Sequence, residues 1–121
     1  MSDAMTVTLY GIPNCDTVKK ARTWLDQQDI PYTFHDFKKA GIERDVIKSW
    51  LADVAWEILV NRKGTTWRGL SDERKAAVTN ADSAADLMLE LPSVIKRPVL
   101  RAGTGTHVGF SAELYQHIFK K

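Results

Sequence analysis

The feature of this sequence that most constrains its fold is a change of residue pattern within the first 37 residues. Residues 6–10 are mostly β-branched and aromatic, as is typical of a strand, and they end at the turn-forming run Gly11-Ile12-Pro13-Asn14. From Cys15 onward apolar residues recur at helical spacing, and residues 32–37 show the alternation of a second strand. Strands joined through a helix normally pair in parallel, so we predict a β-α-β unit whose helix begins at Cys15.

The rest of the chain predicts further helices and a hairpin. Residues 43–54 carry their apolar side chains on one stripe, which indicates an amphipathic helix, and residues 55–92 fit several short helices. Two β-type segments, 98–100 and 107–110, then flank a glycine-rich turn, and Ser111 is suited to cap a closing helix. The predicted order is β-α-β-α, a helical insert at about residues 43–92, then β-β-α. This order describes an α/β chain with a mixed four-stranded sheet.

Length and charge set limits on the organisation and the partners of the chain. A chain of 121 residues has the length of one domain, so we predict a single domain over residues 1–121, and a monomer. Its 17 basic and 15 acidic residues leave a net charge of +2, which is too small to favour nucleic acid as a direct partner. The sequence has no apolar run of bilayer length and no basic leader, and we therefore expect no membrane association and a cytoplasmic location.

Cys15 is the only cysteine, so the chain alone cannot build a disulfide, a four-cysteine zinc site or an iron–sulfur cluster. At the first turn of a helix the unpaired backbone N–H groups and the helix dipole favour a thiolate over a thiol. The position also follows a strand directly, at the carboxyl end of the sheet, where ligands commonly bind. We expect a nucleophile that needs an outside partner; the alternative is a buried, inert cysteine.

Four segments together resemble one known family. They are residues 9–17 around the cysteine, residues 18–22 at the helix start, residues 59–63 and residues 95–99. In order and spacing they resemble the arsenate reductase (ArsC)/Spx family, most closely its YffB-type subgroup. The resemblance covers nearly the whole chain and implies a thioredoxin-like fold with an ArsC-type helical subdomain.

The resemblance also implies roles for individual residues. Cys15 matches the nucleophile of the family, and Arg62 and Arg97 match two arginines that surround an oxyanion or the thiolate, a task suited to planar guanidinium groups. Pro98 matches a cis proline that faces the cysteine and leaves nearby backbone groups available to a thiol substrate. For both arginines the alternative is an ordinary solvated side chain.

Three other residues are weaker candidates for substrate binding. Asn14 adjoins the cysteine in an expected exposed turn, and Lys19 lies one helical turn beyond it, where its charge can assist the sulfur. His107, on the predicted hairpin, is the histidine best placed to take part. No histidine spacing suggests a metal site, so we expect no metal.

Two departures from the family pattern decide which chemistry we expect. Val18 stands where thioredoxins and Spx proteins have a second cysteine, and Phe110 stands where glutaredoxin-coupled arsenate reductases have a third arginine. Without a second cysteine, a mixed disulfide at Cys15 must be released by an outside thiol, and glutathione is the obvious co-substrate. The leading hypothesis is a glutathione-dependent thiol reductase. The alternatives are a glutaredoxin-coupled arsenate reductase and a non-catalytic, Spx-like protein that binds RNA polymerase.

Overall fold

The first part of the fold is a β-α-β unit, as predicted. The computed structural model describes residues 6–120. Strand β1 (Val7–Gly11) is followed by helix α1 (Asp16–Gln27) and strand β2 (Thr33–Asp36). β1 and β2 pair in parallel, with Leu9 opposite Phe34. Residue Cys15 has extended backbone angles and forms the N-cap of α1, so the helix begins one residue after the cysteine.

The last part of the fold is the predicted hairpin and closing helix. Strands β3 (Val99–Ala102) and β4 (Gly105–Val108) are antiparallel, and helix α8 (Ala112–Phe119) follows them. β4 ends earlier than predicted, because Gly109 has a φ of 85°, which turns the chain out of the strand. The Ser111 hydroxyl accepts a hydrogen bond from the backbone N–H of Leu114 at 3.0 Å, which confirms the predicted cap.

The four strands form one mixed sheet in the order β2-β1-β3-β4. β1 is central, with β2 parallel on one side and β3 antiparallel on the other. This arrangement confirms the predicted fold class, an α/β chain with a thioredoxin-like sheet. Within residues 6–120, none of the helices has both the length and the apolar character needed to cross a bilayer.

The segment between β2 and β3 is helical. It comprises α2 (Phe37–Ala40), α3 (Arg44–Leu51), α4 (Trp56–Leu59), α5 (Thr65–Arg68), α6 (Asp72–Ala76), α7 (Ala81–Glu90) and a 3-10 turn (Pro92–Val94). The predicted helix at residues 43–54 is therefore shorter than its apolar pattern suggested. The predicted strand at residues 32–37 also ends early, because Phe37 begins α2 and is fully buried.

The described chain divides into two compact units. The first comprises residues 6–37 and 97–120, and the second is Lys38–Lys96. In the first unit, side chains of β1, β3, α1 and α8 form an apolar cluster that includes Leu9, Leu25, Leu100 and Tyr115. In the second unit, α3 contacts α7, and both helices bury apolar side chains.

Candidate functional site

Cys15 lies where the first unit changes from strand to helix. Its side chain is half-buried, and those of Asn14 and Asp16 on either side are exposed. Its carbonyl oxygen accepts a hydrogen bond from the backbone N–H of Lys19 at 2.9 Å, which closes the first turn of α1. The sulfur makes no capping hydrogen bond to the helix. The alternative of a cysteine sealed inside the core is therefore wrong.

Val18 and Gly11 fix the approach of the strand to this helix. Val18 is fully buried on α1, three residues after the cysteine. A Cβ atom added to Gly11 would lie 2.8 Å from a methyl group of Val18, which is shorter than any normal carbon–carbon contact. The end of β1 thus packs directly on the first turn of α1, and this contact places the loop that carries Cys15.

Arg97 and Pro98 come directly before β3, at the end of the sheet where β1 finishes. β3 runs antiparallel to β1, and its first residue, Val99, lies opposite Tyr10. The residues just beyond this pair, Gly11 and Pro98, therefore share the edge from which the Cys15 loop leaves. The Arg97–Pro98 peptide bond is cis, which confirms the expectation from the resemblance.

The side chains of Arg97 and Pro98 differ in exposure. Arg97 is half-buried, with its Nε atom buried, and Pro98 is buried. The Pro98 carbonyl oxygen accepts a hydrogen bond from the backbone N–H of Gly109 at 2.9 Å. We expected backbone groups near this proline to be available to a substrate, but its own carbonyl is already engaged within the hairpin.

The three weaker candidates occupy different positions in the first unit. Asn14 is exposed next to the cysteine, and Lys19 is exposed at the end of the first turn of α1. His107 is half-buried on the edge strand β4, opposite Leu100, so that β3 separates it from β1. Asn14 and Lys19 thus accompany Cys15, whereas His107 lies within the sheet, two strands from β1.

Phe110, which stands where the resemblance expects a third arginine, is half-buried and packs against the apolar cluster of the first unit. Its ring meets that of Tyr115 edge-on, with the centroids 4.7 Å apart. Tyr115 in turn packs edge-on against Trp24 at 5.6 Å. The aromatic side chain at position 110 therefore covers one side of this cluster, which gives a physical reason for an apolar residue there.

Arg62 lies in the second unit, in the turn that follows a buried segment. Its guanidinium carbon is 5.7 Å from the ring centroid of Trp56, within the range of a cation–π contact. The adjacent Asn61 side chain accepts a hydrogen bond from the backbone N–H of Lys63 at 3.2 Å. Arg62 thus lies in a turn that is stabilised by the hydrogen bond between Asn61 and Lys63.

Two tyrosines have raised pKa values, and no pattern in the sequence points to either of them. Burial raises the pKa of the Tyr10 hydroxyl, and the positive charge of Arg101 opposes part of that rise. Burial alone raises the pKa of Tyr115 far above its ordinary value. Among residues 6–120, no three His, Cys, Asp or Glu side chains are grouped so as to hold a metal ion.

Comparisons with known proteins agree on one family. The ArsC family model matches residues 10–118. A solved structure of a YffB protein is 48% identical and has a TM-score of 0.88, covering 93% of this chain and 97% of that one. The solution structure of an arsenate reductase (ArsC) related protein from Brucella melitensis is 47% identical with a TM-score of 0.75, and the match covers both chains completely.

Relatives found by sequence include an uncharacterized protein and transcriptional regulators of the Spx type. An uncharacterized protein of Haemophilus influenzae is 35% identical over 113 residues, which cover 93% of this chain and 98% of that protein. The global transcriptional regulator Spx of Listeria innocua is 25% identical over 109 residues, which cover 88% of this chain and 82% of the regulator.

Proposed function

This chain belongs to the ArsC family, and from that premise we propose that it is a glutathione-dependent thiol reductase with Cys15 as its nucleophile. The observation that carries the proposal is the half-buried sulfur of Cys15 at the start of α1, paired with a buried Val18 three residues later. A partly exposed sulfur at the start of a helix supports a role as nucleophile, and the chain supplies no second thiol to resolve an adduct.

The proposed reaction is two thiol–disulfide exchanges. The Cys15 thiolate attacks the glutathione sulfur of a mixed disulfide, a bond forms between the two sulfurs, and the substrate leaves as a thiolate that takes a proton from water. The thiolate of a second glutathione then attacks the glutathione sulfur held on Cys15. Oxidised glutathione leaves and the Cys15 thiolate is restored. In the net reaction one disulfide replaces another: the substrate is released as a thiol, the incoming glutathione thiol is oxidised, and the two glutathione units leave joined in one disulfide.

Other residues are proposed to bind and orient the reactants. Arg97 shares the sheet edge with the Cys15 loop, so its guanidinium group is proposed to stabilise negative charge on the sulfur or on the substrate. Arg62 is proposed to do the same on the basis of the family resemblance. Asn14, Lys19, Pro98 and His107 are proposed to contact the substrate.

Intact-mass measurement with oxidised glutathione tests the proposal. We expect one glutathione unit to attach to the chain and none to attach to a Cys15→Ser variant. Because no second thiol is present, the adduct should persist after the excess reagent is removed, and added glutathione should release it. An unmodified mass after prolonged incubation would overturn the proposal.

Steady-state turnover of a small glutathione mixed disulfide tests the arginines. We expect Arg62→Gln and Arg97→Gln to lower kcat/KM by about tenfold each, because an anion loses a charged hydrogen-bond donor. Arg68→Gln, an exposed arginine elsewhere in the second unit, is the matched control and should leave turnover unchanged.

Arsenate reduction is the second activity to be measured, because the Brucella melitensis protein is described as related to an arsenate reductase. The packing of Phe110 against Tyr115 argues against it, since the hydrophobic cluster holds this residue where a cation for the oxyanion is expected. We expect no arsenate-dependent oxidation of glutathione or glutaredoxin. If the chain is instead a non-catalytic, Spx-like binding protein, its binding to RNA polymerase should be retained in the Cys15→Ser variant.

A further inference from the structure

We propose that the second unit binds an acidic segment of a partner protein in a pocket beside Arg62. The pocket has a volume of about 270 Å³. Its lining combines three cations, one carboxylate and apolar and amide groups: Glu57, Ile58, Val60, Asn61, Arg62, Lys63 and Lys96. We call it the basic pocket.

The backbone of the second unit brings these cations together. Val60 and Ile95 form an antiparallel bridge, and the N–H of Lys96 donates to the carbonyl of Leu59 at 2.7 Å. Lys96 is thereby held beside Leu59, which lies 37 positions earlier in the chain. Because the positions are set by buried main-chain hydrogen bonds, they do not depend on a ligand.

The turn that carries Arg62 and Lys63 is also held by the protein itself. The Asn61 side chain accepts from the N–H of Lys63, and the Asn61 carbonyl accepts from the N–H of Gly64 at 3.1 Å. A Cβ atom at Gly64 would lie 2.9 Å from the Asn61 amide nitrogen, so a larger residue there would force the Asn61 side chain to shift. The two cations are presented on a preformed turn, which lowers the entropy lost on binding.

The charge of the basic pocket is not balanced within the protein. Across residues 6–120, none of Arg62, Lys63 and Lys96 forms an ion pair, and Arg62 instead lies over Trp56. A different pocket of the same unit, next to α7, contrasts with it: there Arg74 pairs with Glu90 at 2.7 Å. Three cations around one carboxylate favour a ligand that carries several negative charges.

The apolar part of the lining indicates a peptide as the ligand. The Ile58 side chain is 53% exposed at the pocket, although its size and polarity favour burial. A ligand with an apolar group binds more tightly when it covers this side chain, because apolar surface is removed from water. A small dicarboxylate has no apolar group of that size. The ligand class that satisfies both features is a segment with several acidic residues around one apolar residue.

Fluorescence anisotropy with a labelled peptide of sequence Asp-Glu-Leu-Glu-Asp tests the proposal. The comparison peptide is Asn-Gln-Leu-Gln-Asn, in which amides replace the carboxylates. We expect saturable binding of the acidic peptide only, weaker at about 0.15 M salt than at about 0.01 M because exposed charges are screened. The chain is used at full length, and Arg62 is left unchanged because it also belongs to the proposed reductase site.

Three variants at exposed positions locate the binding. Lys63→Glu/Lys96→Glu should raise the Kd about tenfold, since two attractions become repulsions. Ile58→Ser should raise it severalfold without any change of charge. The matched control is Lys48→Glu/Arg68→Glu, which changes the net charge equally at exposed positions outside the pocket, and it should leave the Kd unchanged.

Four results would overturn the proposal. They are the absence of saturable binding, equal binding of the amide peptide, equal weakening by both double variants, and displacement of the peptide by succinate, a small dicarboxylate, at similar concentration. The last result would assign the pocket to a small-molecule ligand. Glutathione turnover by Lys63→Glu/Lys96→Glu, measured in parallel, distinguishes failure of this proposal from failure of the reductase proposal.

Discussion

Gly11 shows how one small residue links the core of the first unit to its candidate site. It ends β1, and the side chain of Val18 occupies the space where a larger residue would place its Cβ. Val18 is β-branched and fully buried, so it has little freedom to move aside. The position of the Cys15 loop therefore depends on a contact between two residues that have no chemical role.

Gly11→Ala is expected to destabilise the protein by about 1–3 kcal/mol, as overpacking of a core does. The added methyl group would lie 2.8 Å from a Val18 methyl group. Urea unfolding measures the loss. In the double variant Gly11→Ala/Val18→Ala the space is restored, so its cost should be smaller than the sum of the two single costs, with a coupling of about 1 kcal/mol. Strictly additive costs would contradict the steric explanation.

The helices of the second unit differ in how strongly their ends are fixed. α7 begins with a capping box, in which the Asn80 side chain accepts from the N–H of Ser83 at 2.9 Å and the Ser83 hydroxyl accepts from the N–H of Asn80 at 3.1 Å. This helix buries Ala84, Leu87 and Met88. α6 is also capped, by Ser71, but it buries no residue. A cap contributes to global stability only where the helix it holds is part of the core.

Asn80→Ala is therefore expected to cost about 1 kcal/mol of unfolding free energy. Ser71→Ala removes a cap of similar geometry, in which the serine hydroxyl accepts from the N–H of Arg74 at 3.1 Å, yet it should cost less than about 0.5 kcal/mol. Urea unfolding of the two single variants compares them directly. Equal losses would show that α6 contributes to the cooperative core despite its exposed surface.

At the scale of the whole molecule, buried tyrosines set the response of stability to alkaline pH. Burial raises the pKa of Tyr115 well above that of an unfolded chain, and it also raises the pKa of Tyr10. The unfolded chain therefore releases these protons first as the pH rises. Their contribution to stability is fully present below about pH 10, the ordinary tyrosine pKa, and is lost progressively above it.

Between pH 8 and pH 11 we expect the Tyr115 hydroxyl to account for about 1.4 kcal/mol of the lost stability, the value of one pH unit above an ordinary pKa. The control is Tyr115→Phe, which keeps the ring contacts and removes the ionisable group. At pH 8 this variant should be at least as stable as the parent, because the hydroxyl is buried without a hydrogen-bond partner within residues 6–120. If the free energy of unfolding falls equally in the parent and in Tyr115→Phe as the pH rises, the Tyr115 hydroxyl is not the cause of the loss.

Local patterns in the sequence were sufficient for the order of the elements. Alternation around Leu9 and Phe34, helical spacing after Cys15 and the serine at position 111 each act over a few residues, so they can be read without knowledge of the fold. Their limits were less well predicted. Phe37 is of a residue type common in strands, but it begins a helix. It is fully buried, and an alternating pattern cannot show whether a buried aromatic residue belongs to the end of a strand or to the start of a helix.

The candidate site could be predicted in part. The sequence alone determined that one thiol is available, that it follows a strand and that no second cysteine accompanies it, since these are properties of residue type and neighbours. Three further features become visible only in the folded chain: Val18 is buried against Gly11, Arg97 lies next to the end of β1, and Lys96 joins Lys63 around one pocket. The physical reason is that strand register and buried hydrogen bonds join residues far apart in the chain, and such pairings leave no local pattern.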